Sequence, residues 1–343
     1  MRRRFTKLFG NEDTKLRLCD AVVNSTLPHA LLICGPRGSG KRTLSTEIIA
    51  ASNCLMKSNS SSPIPCKVCA NCKRIYSSSF PDVTVLERES GKATIGVEEL
   101  RVFRESMFLS ASEAAYKFYV IEDADTMTPA AQNALLKVLE EPPQFVHIIL
   151  LAESGDKLLS TIKSRTQFVQ MELFAQNELE DYVTELSSAA RTLSQTAPKK
   201  LLAILLASGG VIGKALEMMD DGLSDGIEAK RDAVKSFISV IHKRAPFSKL
   251  YSVCSSLPQK RDELRETLEE IRTAIRDLTV IGLDDNANTS FFLSKDEASE
   301  FSEGLNRKRL IEVYDVISSA IEDLDKNVVV STLLTDIAVR IKG

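Results

Sequence analysis

The sequence predicts a parallel α/β domain with a glycine-rich loop, followed by a helical region. A short apolar strand over Ala30–Cys34 runs into a glycine-rich segment that ends in a lysine, and a helix-like run follows at once. Predicted strands and helices then alternate up to about residue 172, which is typical of a parallel sheet with helices on both faces. Beyond that point the strand signal fades and apolar residues recur at helical spacing. We therefore expect three domains: an α/β domain over 1–172, a small helical domain over 173–224 and a second helical domain over 225–343.

Composition excludes several classes of protein. The 343 residues are 43% apolar and 27% charged, which is ordinary for a soluble globular chain. The net charge of −3 is unlike that of an electrostatic nucleic-acid binder. The sequence has neither an apolar run of ~18 residues nor the apolar stretch of a signal peptide, so we expect a cytoplasmic protein that contacts no membrane. In a reducing compartment, its seven cysteines favour one metal site and buried thiols over disulfides.

Five short apolar runs are the strand candidates. They are Ala30–Cys34, Val83–Leu86, Lys117–Ile121, His147–Leu151 and Phe168–Met171. The clearest helix, over 130–141, lies between the third and the fourth of them. Thr128 is a natural N-cap for this helix, Pro129 suits its first position and Pro142 ends it.

The rest of the chain reads as helical. Three short helices are predicted over Leu179–Leu193, Lys199–Ser208 and Gly213–Met219, and Gly209 and Gly210 separate the last two. Apolar residues then recur at spacings of four and three in two stripes: Leu264, Leu268, Ile271, Ile275 and Leu278, and Leu310, Val313, Ile317, Ile321 and Leu324. Polar loops are predicted over 58–62 and 284–289. The stripes are compatible with an assembly domain and with a self-contained helical domain.

The glycine-rich segment has the chemistry of a phosphate site. Its glycines let successive backbone N–H groups turn inward, the lysine adds a positive charge and the following helix adds its dipole. A plain turn between a strand and a helix is the alternative. In a full P-loop, a Ser or Thr directly after the lysine ligates Mg²⁺. Here Arg42 stands in that place, and Thr43 comes one residue late, ~100° further around the helix. We expect this segment to bind phosphate without normal magnesium ligation. The residues of this degenerate nucleotide site are Gly35, Gly38, Ser39, Gly40, Lys41, Arg42 and Thr43.

An acidic pair, Glu122 and Asp123, directly follows the predicted strand Lys117–Ile121. At the end of a parallel strand beside a P-loop, the first carboxylate holds Mg²⁺ and the second polarises water. The usual order is Asp then Glu, and this chain reverses it. The longer residue would crowd the metal, and the shorter one would fall ~1.5 Å short of the water. The alternative is a solvated acidic turn.

Four of the cysteines have the spacing of a zinc site. Cys54, Cys66, Cys69 and Cys72 offer four thiolates, which complete a tetrahedral site with no open position. We therefore expect structural Zn²⁺ in a small module over about 54–72. Free or disulfide-linked cysteines are one alternative. A nucleic-acid-binding knuckle is another, although the segment lacks an interleaved aromatic stacking surface.

Further motifs accompany these sites. They are Leu27-Pro28-His29-Ala30 before the loop, Tyr119-Val120-Ile121 before the acidic pair, Ala131-Gln132-Asn133-Ala134-Leu135-Leu136-Lys137, Leu139-Glu140-Glu141-Pro142-Pro143, and Ser164-Arg165. Together with the P-loop and the cysteines, they resemble the AAA+ clamp-loader ATPases of bacterial DNA polymerase III. The resemblance covers residues 5–220 well and the remainder by pattern only. It implies a RecA-like AAA+ P-loop domain with a zinc insertion, a small helical lid domain and a C-terminal helical collar domain.

Two subunit types of this family share these motifs, the ATP-hydrolysing gamma/tau subunit and the delta-prime subunit. The chain length, the displaced metal hydroxyl and the reversed acidic pair favour delta-prime. So does glycine at position 213, within Gly209–Leu216, where the active subunit has an arginine. The resemblance then implies a subunit that joins gamma/tau and delta in a hetero-pentamer and helps place the sliding clamp on primer-template DNA. Its own ATP and Mg²⁺ binding would be weak or absent.

The resemblance also assigns a role to Ser164 and Arg165. In this family, the arginine of the Ser-Arg motif reaches across a subunit interface to the γ-phosphate held by the neighbour. A surface arginine after a helix is the alternative. Two other functions remain in view for the whole chain, an active gamma-type ATPase and a distinct AAA+ repair factor or helicase loader. The first would be a catalytic subunit, whereas a delta-prime subunit belongs to the polymerase holoenzyme without hydrolysing ATP itself.

Overall fold

The structure, a computed structural model, describes residues 5–57, 63–89, 92–108, 113–220, 224–242, 246–283, 289–302, 305–324, 326 and 328–342. The chain divides into two compact units, Met1–Phe174 with Val211–Lys214, and Ala175–Gly210 with Ala215–Gly343. The finer division into domains at about residues 172 and 224 remains a prediction. Within the described residues, no helix is long and apolar enough to span a membrane.

The first unit is built on a parallel sheet of five strands. The strands are β1 (Ala30–Cys34), β2 (Val83–Leu86), β3 (Lys117–Ile121), β4 (Val146–Ala152) and β5 (Gln167–Gln170). They lie in the order β2-β3-β4-β1-β5, and every neighbouring pair is parallel. The predicted α/β class is confirmed. The predicted bounds of the first three strands are also confirmed, and those of β4 and β5 differ by one residue at each end.

Helices cover both faces of this sheet. They are α1 (Glu12–Val23), α2 (Lys41–Ser52), α3 (Ala70–Tyr76), α4 (Val97–Glu105), α5 (Pro129–Glu140) and α6 (Ser160–Lys163). Strands β1, β3 and β4 are buried along their whole length. Alternate strand residues enter two separate cores, one shared with α1 and α2 and the other with α4 and α5. Burial on both faces explains why these strands are continuous apolar runs rather than alternating patterns.

Helix α5 begins as the sequence predicts. The Thr128 side chain accepts a hydrogen bond from the N–H of Ala131, and Pro129 occupies the first helical position. The helix ends at Glu140, one residue before the predicted end, because Glu141 already leaves the helical conformation ahead of Pro142.

The second unit is helical in its described residues. Its elements are α7 (Gln176–Leu186), α8 (Ser188–Thr196), α9 (Pro198–Ala207), α11 (Ser224–His242), α12 (Phe247–Ser255), α13 (Arg261–Ile281), α14 (Lys295–Ser302), α15 (Arg307–Leu324) and α16 (Val330–Lys342), while α10 (Ile212–Asp220) begins in the first unit. The prediction of one helix over Leu179–Leu193 is wrong. Ser187 interrupts it in an extended conformation, and its side chain caps α8 by accepting a hydrogen bond from Ala190.

Other predictions for the helical region are confirmed. Gly209 and Gly210 have φ of 63° and 82°, so they end α9 in the left-handed region that favours glycine. All ten residues of the two predicted apolar stripes are buried in one core, on α13 and α15. The predicted loop over 58–62, and all of the one over 284–289 except its last residue, lie outside the described residues.

The burial of one histidine in the first unit predicts a pH-dependent stability. The ring of His147, in β4, stacks on Phe118 with 5.1 Å between ring centroids, and its Nδ1 lies 2.9 Å from the carbonyl oxygen of Pro28. Burial lowers the pKa of His147 below its ordinary value of 6.5. The unfolded chain therefore takes up the proton at a higher pH than the folded chain. The stabilisation that comes from keeping His147 neutral is complete above about pH 6.5 and is lost as the pH falls toward the folded-state pKa.

We expect the free energy of unfolding to be lower at about pH 5.5 than at about pH 7.5. Urea unfolding at a series of pH values measures this difference. His147→Gln removes the titrating group, so it should reduce the difference. An equal difference in the parent and in His147→Gln would contradict the assignment.

Candidate functional site

The segment Gly35–Lys41 joins β1 to α2 at the carboxyl end of the sheet. Gly38 and Gly40 have φ of 84° and 91°, in the left-handed region that side chains disfavour. A Cβ atom at Gly38 would lie 2.9 Å from the backbone nitrogen of Lys214, so this turn is also closely packed. Strand, tight turn and helix therefore have the arrangement that the sequence predicts for a P-loop.

The loop keeps two groups that suit a phosphate. The Nζ atom of Lys41 donates to the carbonyl oxygens of Gly35 at 2.5 Å and Pro36 at 3.0 Å, so the ammonium lies against the loop itself. Burial lowers the pKa of Lys41, and the nearby carboxylates of Glu153 and Asp123 oppose that shift. The Oγ atom of Ser39 is buried and has no hydrogen-bond partner among the described residues. An orphan hydroxyl beside a lysine fits a loop that receives phosphate oxygens.

Arg42 and the first residue of the acidic pair form an ion pair. The Nε atom of Arg42 lies 3.0 Å from Oε1 of Glu122, and its Nη2 atom donates to Oε1 of Glu87 at 2.7 Å. Burial raises the pKa of Glu122, and Arg42 opposes that shift. In a P-loop ATPase these two sequence positions both ligate Mg²⁺. The residues present therefore do not fit a normal magnesium–nucleotide complex.

The second carboxylate of the acidic pair has another partner. Asp123 adopts a left-handed conformation with φ of 48°, and its Oδ2 atom lies 3.7 Å from Nη2 of Arg88. Thr43 is half-buried in α2, and we find no contact between it and either acidic residue among the described hydrogen bonds and ion pairs. Its predicted orientation away from the metal remains a prediction.

Sequence reasoning missed Glu87 and Arg88, which directly follow β2. The register pairs Leu86 of β2 with Ile121 of β3, so these two residues lie beside Glu122 and Asp123. The sequence shows only a charged pair after a short strand. The partners of this pair could not be predicted without knowing that β2 lies next to β3.

Position 213 packs directly on the phosphate loop. The N–H of Gly213 donates to the carbonyl oxygen of Gly38 at 3.1 Å, and both residues belong to the first unit. A Cβ atom at Gly213 would lie 2.6 Å from that oxygen and 2.8 Å from the Cα atom of Gly38. Any side chain at this position would therefore displace the loop backbone.

The four clustered cysteines lie close enough to share one metal ion. The Sγ atoms of Cys54, Cys66, Cys69 and Cys72 are all within 4.8 Å of one another, and none of these cysteines forms a disulfide. Tetrahedral zinc with Zn–S bonds of ~2.3 Å requires sulfur atoms about 3.8 Å apart, so the cluster fits the ion with little adjustment. These four residues would hold Zn²⁺ as a structural ion, because no ligand position remains for a substrate.

Two of the four cysteine sulfur atoms accept hydrogen bonds from the backbone. The N–H of Cys69 donates to Sγ of Cys66, and the N–H of Cys72 donates to Sγ of Cys69, both at 3.4 Å. Burial would raise the pKa of Cys66, but the N–H groups of Cys69 and Val68 lower it to about 7. Cys69 also serves as the N-cap of α3, which places Cys72 in the first turn of that helix.

A buried carboxylate ties the cysteine module to α2. Glu47, which has no exposed surface, accepts a hydrogen bond from the N–H of Thr6 at 3.0 Å and another from the hydroxyl of Tyr76. Its Oε1 atom also lies 3.9 Å from Nζ of Lys67, which stands between two of the cysteines. Sequence reasoning missed this residue because a glutamate inside a helix normally faces solvent.

The Ser-Arg motif follows α6 at the surface. The Nη2 atom of Arg165 lies 2.7 Å from Oε1 of Glu140, and its Nη1 atom donates to the carbonyl oxygen of Thr161 at 3.0 Å and to Oγ of Ser164 at 3.3 Å. Glu140 ends α5 and belongs to the Leu-Glu-Glu-Pro-Pro motif. The guanidinium is partly exposed, and in this structure it is paired within its own chain.

Comparison with known proteins gives a consistent set of relatives. The family model described as "DNA polymerase III, delta subunit" matches residues 10–175. DNA polymerase III subunit tau of Bacillus subtilis is 31% identical over 223 residues, which are 64% of this chain and 38% of that protein. Subunit delta' of the same organism is 28% identical over 227 residues, 66% of this chain and 64% of that protein. The chain thus aligns with less than two thirds of the length of either relative.

Solved structures with a similar course of the chain include two from Thermotoga maritima. A DNA polymerase III gamma subunit-related protein matches with a TM-score of 0.45 and 19% identity, over 95% of this chain and 97% of that one. The RuvB Holliday junction branch migration motor matches with a TM-score of 0.41 and 15% identity, over 92% of this chain and 91% of that one.

Proposed function

We infer that this chain, which belongs to the AAA+ clamp-loader family of DNA polymerase III, acts as a delta-prime subunit. In that role it joins gamma/tau and delta subunits in a hetero-pentamer that loads the sliding clamp on primer-template DNA. The chain does not drive the reaction with its own nucleotide site. It contributes structure to the complex and an arginine to the site of a neighbouring ATPase subunit.

The ion pair between Arg42 and Glu122 carries this proposal. It joins the side chains at the two sequence positions that ligate magnesium in a P-loop ATPase, at a distance of 3.0 Å, and one of these side chains is a cation that cannot bind the metal. The close packing of Gly213 on Gly38 supports the same conclusion, because the loop conformation excludes a phosphate-binding side chain at position 213. Three elements of ATP chemistry, the metal ligand, the acidic pair and a basic group at 213, are thus altered together.

The surface position of Arg165 supports the second half of the proposal. A planar guanidinium suits a phosphate, and such an arginine can be supplied to a neighbour's site in trans. Arg165 follows a short helix at the edge of the α/β unit and is partly exposed. Ser164 donates to the carbonyl oxygen of Thr161 at 3.1 Å and accepts from Arg165, so it helps to orient the arginine.

The helical residues 225–343 would form the collar through which the subunits assemble. The buried stripes on α13 and α15 supply the core of this region. With a net charge of −3, contact with primer-template DNA would be made through the complex rather than by this chain alone. The cysteine module would hold structural zinc.

An active gamma/tau-type ATPase is the second candidate. One observation favours it: the tau relative is 31% identical to this chain and the delta' relative 28%. The phosphate-binding half of the loop, including Lys41 and the orphan hydroxyl of Ser39, is also preserved. The two candidates differ in whether the isolated chain hydrolyses ATP.

We expect the isolated chain to show no ATPase activity above the background, because an arginine replaces one magnesium ligand and pairs with the carboxylate at the position of the other. Steady-state phosphate release with Mg²⁺ and ATP measures this directly, with a gamma-type subunit as the positive control. Lys41→Ala should leave the background rate of the isolated chain unchanged. Turnover comparable to that of the gamma-type subunit, and abolished by Lys41→Ala, would favour the second candidate instead.

A further inference from the structure

An arginine stands at a sequence position that supplies a metal ligand in P-loop sites. In such sites the residue after the lysine supplies a hydroxyl to Mg²⁺, and a carboxylate at the end of a neighbouring strand holds the same ion. In this chain Arg42 and Glu122 stand at those two positions, and they contact each other at 3.0 Å. A monovalent guanidinium thus bridges the start of α2 and the end of β3.

Two carboxylates from adjacent strands fix this guanidinium. Glu122 follows β3 and Glu87 follows β2, and the parallel register of the two strands brings the residues together. The Nη2 atom of Arg42 lies 2.7 Å from Glu87, so two different nitrogen atoms of the fork are used. A guanidinium is always charged in proteins, so Arg42 keeps its positive charge at any pH used for the experiments below.

The second residue of the acidic pair contacts a different arginine. Asp123 contacts Arg88 at 3.7 Å and has a left-handed backbone conformation. The phosphate-facing groups are in contrast preserved, since Lys41 lies against the loop and Ser39 keeps an unpartnered buried hydroxyl. Both residues of the acidic pair therefore contact arginines, whereas Lys41 and Ser39 keep groups that suit a phosphate.

We propose that the Arg42 guanidinium replaces Mg²⁺ in this site and excludes divalent cations from it. Phosphate held by the loop is then held without a metal ion, and the ends of β2, β3 and the start of α2 are joined whether or not nucleotide is present. This inference deepens the proposed function at the same site. The inference and the proposed function can be tested separately. A chain that binds the metal ion without hydrolysing ATP would contradict only the inference.

The test measures whether removal of the guanidinium opens the site to a metal ion. The full-length zinc-loaded chain is dialysed to equilibrium against Mn²⁺ and ATP, and manganese is measured on both sides of the membrane. The unaltered protein should retain no more manganese than the protein-free chamber. Arg42→Thr restores a hydroxyl after Lys41 and frees two carboxylates, so it should retain up to about one manganese ion per chain when ATP is present.

Two further variants control the experiment. Arg88→Thr removes an equal charge from the loop after β2, near the same acidic pair, without vacating the position after Lys41, so it should behave like the unaltered protein. Glu122→Gln added to Arg42→Thr should abolish the gained manganese, which locates the ion. The Arg42 side chain is 66% exposed, so its replacement should leave the unfolding midpoint and the zinc content unchanged.

The inference is overturned if the unaltered protein retains as much manganese as Arg42→Thr, since the guanidinium then does not exclude the ion. It is equally overturned if Arg42→Thr retains none, since Arg42 is then not what closes the site. Hydrolysis of ATP by the unaltered chain would instead reject the proposed function.

Discussion

Arg165→Ala is expected to slow ATP hydrolysis at the site that faces this subunit by about 10³-fold to 10⁵-fold. The physical reason is the charge that spreads over the transferring phosphoryl group in the transition state, which a guanidinium from the neighbouring subunit stabilises. The measurement is the DNA- and clamp-stimulated ATPase of the reconstituted complex, in single-turnover mode so that other sites do not mask the loss. Clamp loading on primed DNA should fall as well.

The matched control is Lys163→Ala, which removes an exposed positive charge two residues away. It should leave hydrolysis close to that of the parent complex, and Lys41→Ala in this chain should have a much smaller effect than Arg165→Ala. Folding and zinc content of the Arg165→Ala chain should match the parent. Unchanged ATPase and unchanged clamp loading in the Arg165→Ala complex would refute a trans role and leave this chain as a structural subunit.

Loss of zinc is expected to have the largest effect on folding. Protein purified without chelators should contain about one zinc ion per chain, because four thiolates lie within 4.8 Å of one another. Cys72→Ala should lose that ion and unfold the cysteine module, since structural zinc contributes about 10–16 kcal/mol of binding free energy in zinc-finger peptides. Metal analysis and thermal unfolding measure the two effects.

Cys254→Ala is the matched control, because Cys254 is equally buried but lies in α12 of the second unit. It should keep its zinc and the folding of the module. A chain that contains no zinc after purification without chelators would end the prediction. So would a Cys72→Ala chain with the stability of the parent.

The elements that sequence predicted best are those with local causes. Strand β1 is an apolar run between a turn and a glycine-rich loop, and helix α5 begins at its own N-cap, Thr128. The spacing of the four cysteines is enough to predict that they lie together. The break at Ser187 was missed although its cause is also local. Serine is tolerated in a helix and favoured at a cap, and spacing does not separate the two cases.

The contacts that were missed depend on tertiary register. Glu87 meets Arg42 only because β2 lies beside β3 and ends at the same level. Glu140 meets Arg165 across two segments that are far apart in sequence, and Glu47 is buried only because the start of the chain and the cysteine module cover it. No local pattern of residue types carries such information, so the charged partners of the candidate sites required the three-dimensional structure.

The Arg165–Glu140 ion pair has a consequence for the ionic-strength dependence of the proposed arginine finger. The arginine has to leave Glu140 before it can reach a phosphate on another subunit. Both side chains are substantially exposed, at 35% and 50%, so opening the pair costs about 1 kcal/mol or less. Added salt weakens this pair, and it also weakens the attraction of the freed guanidinium to the distant phosphate, with a screening length of ~8 Å at physiological strength. The two effects oppose each other. The binding of Arg165 to the neighbour's phosphate should therefore depend less steeply on salt concentration than the binding of an arginine with no carboxylate partner would.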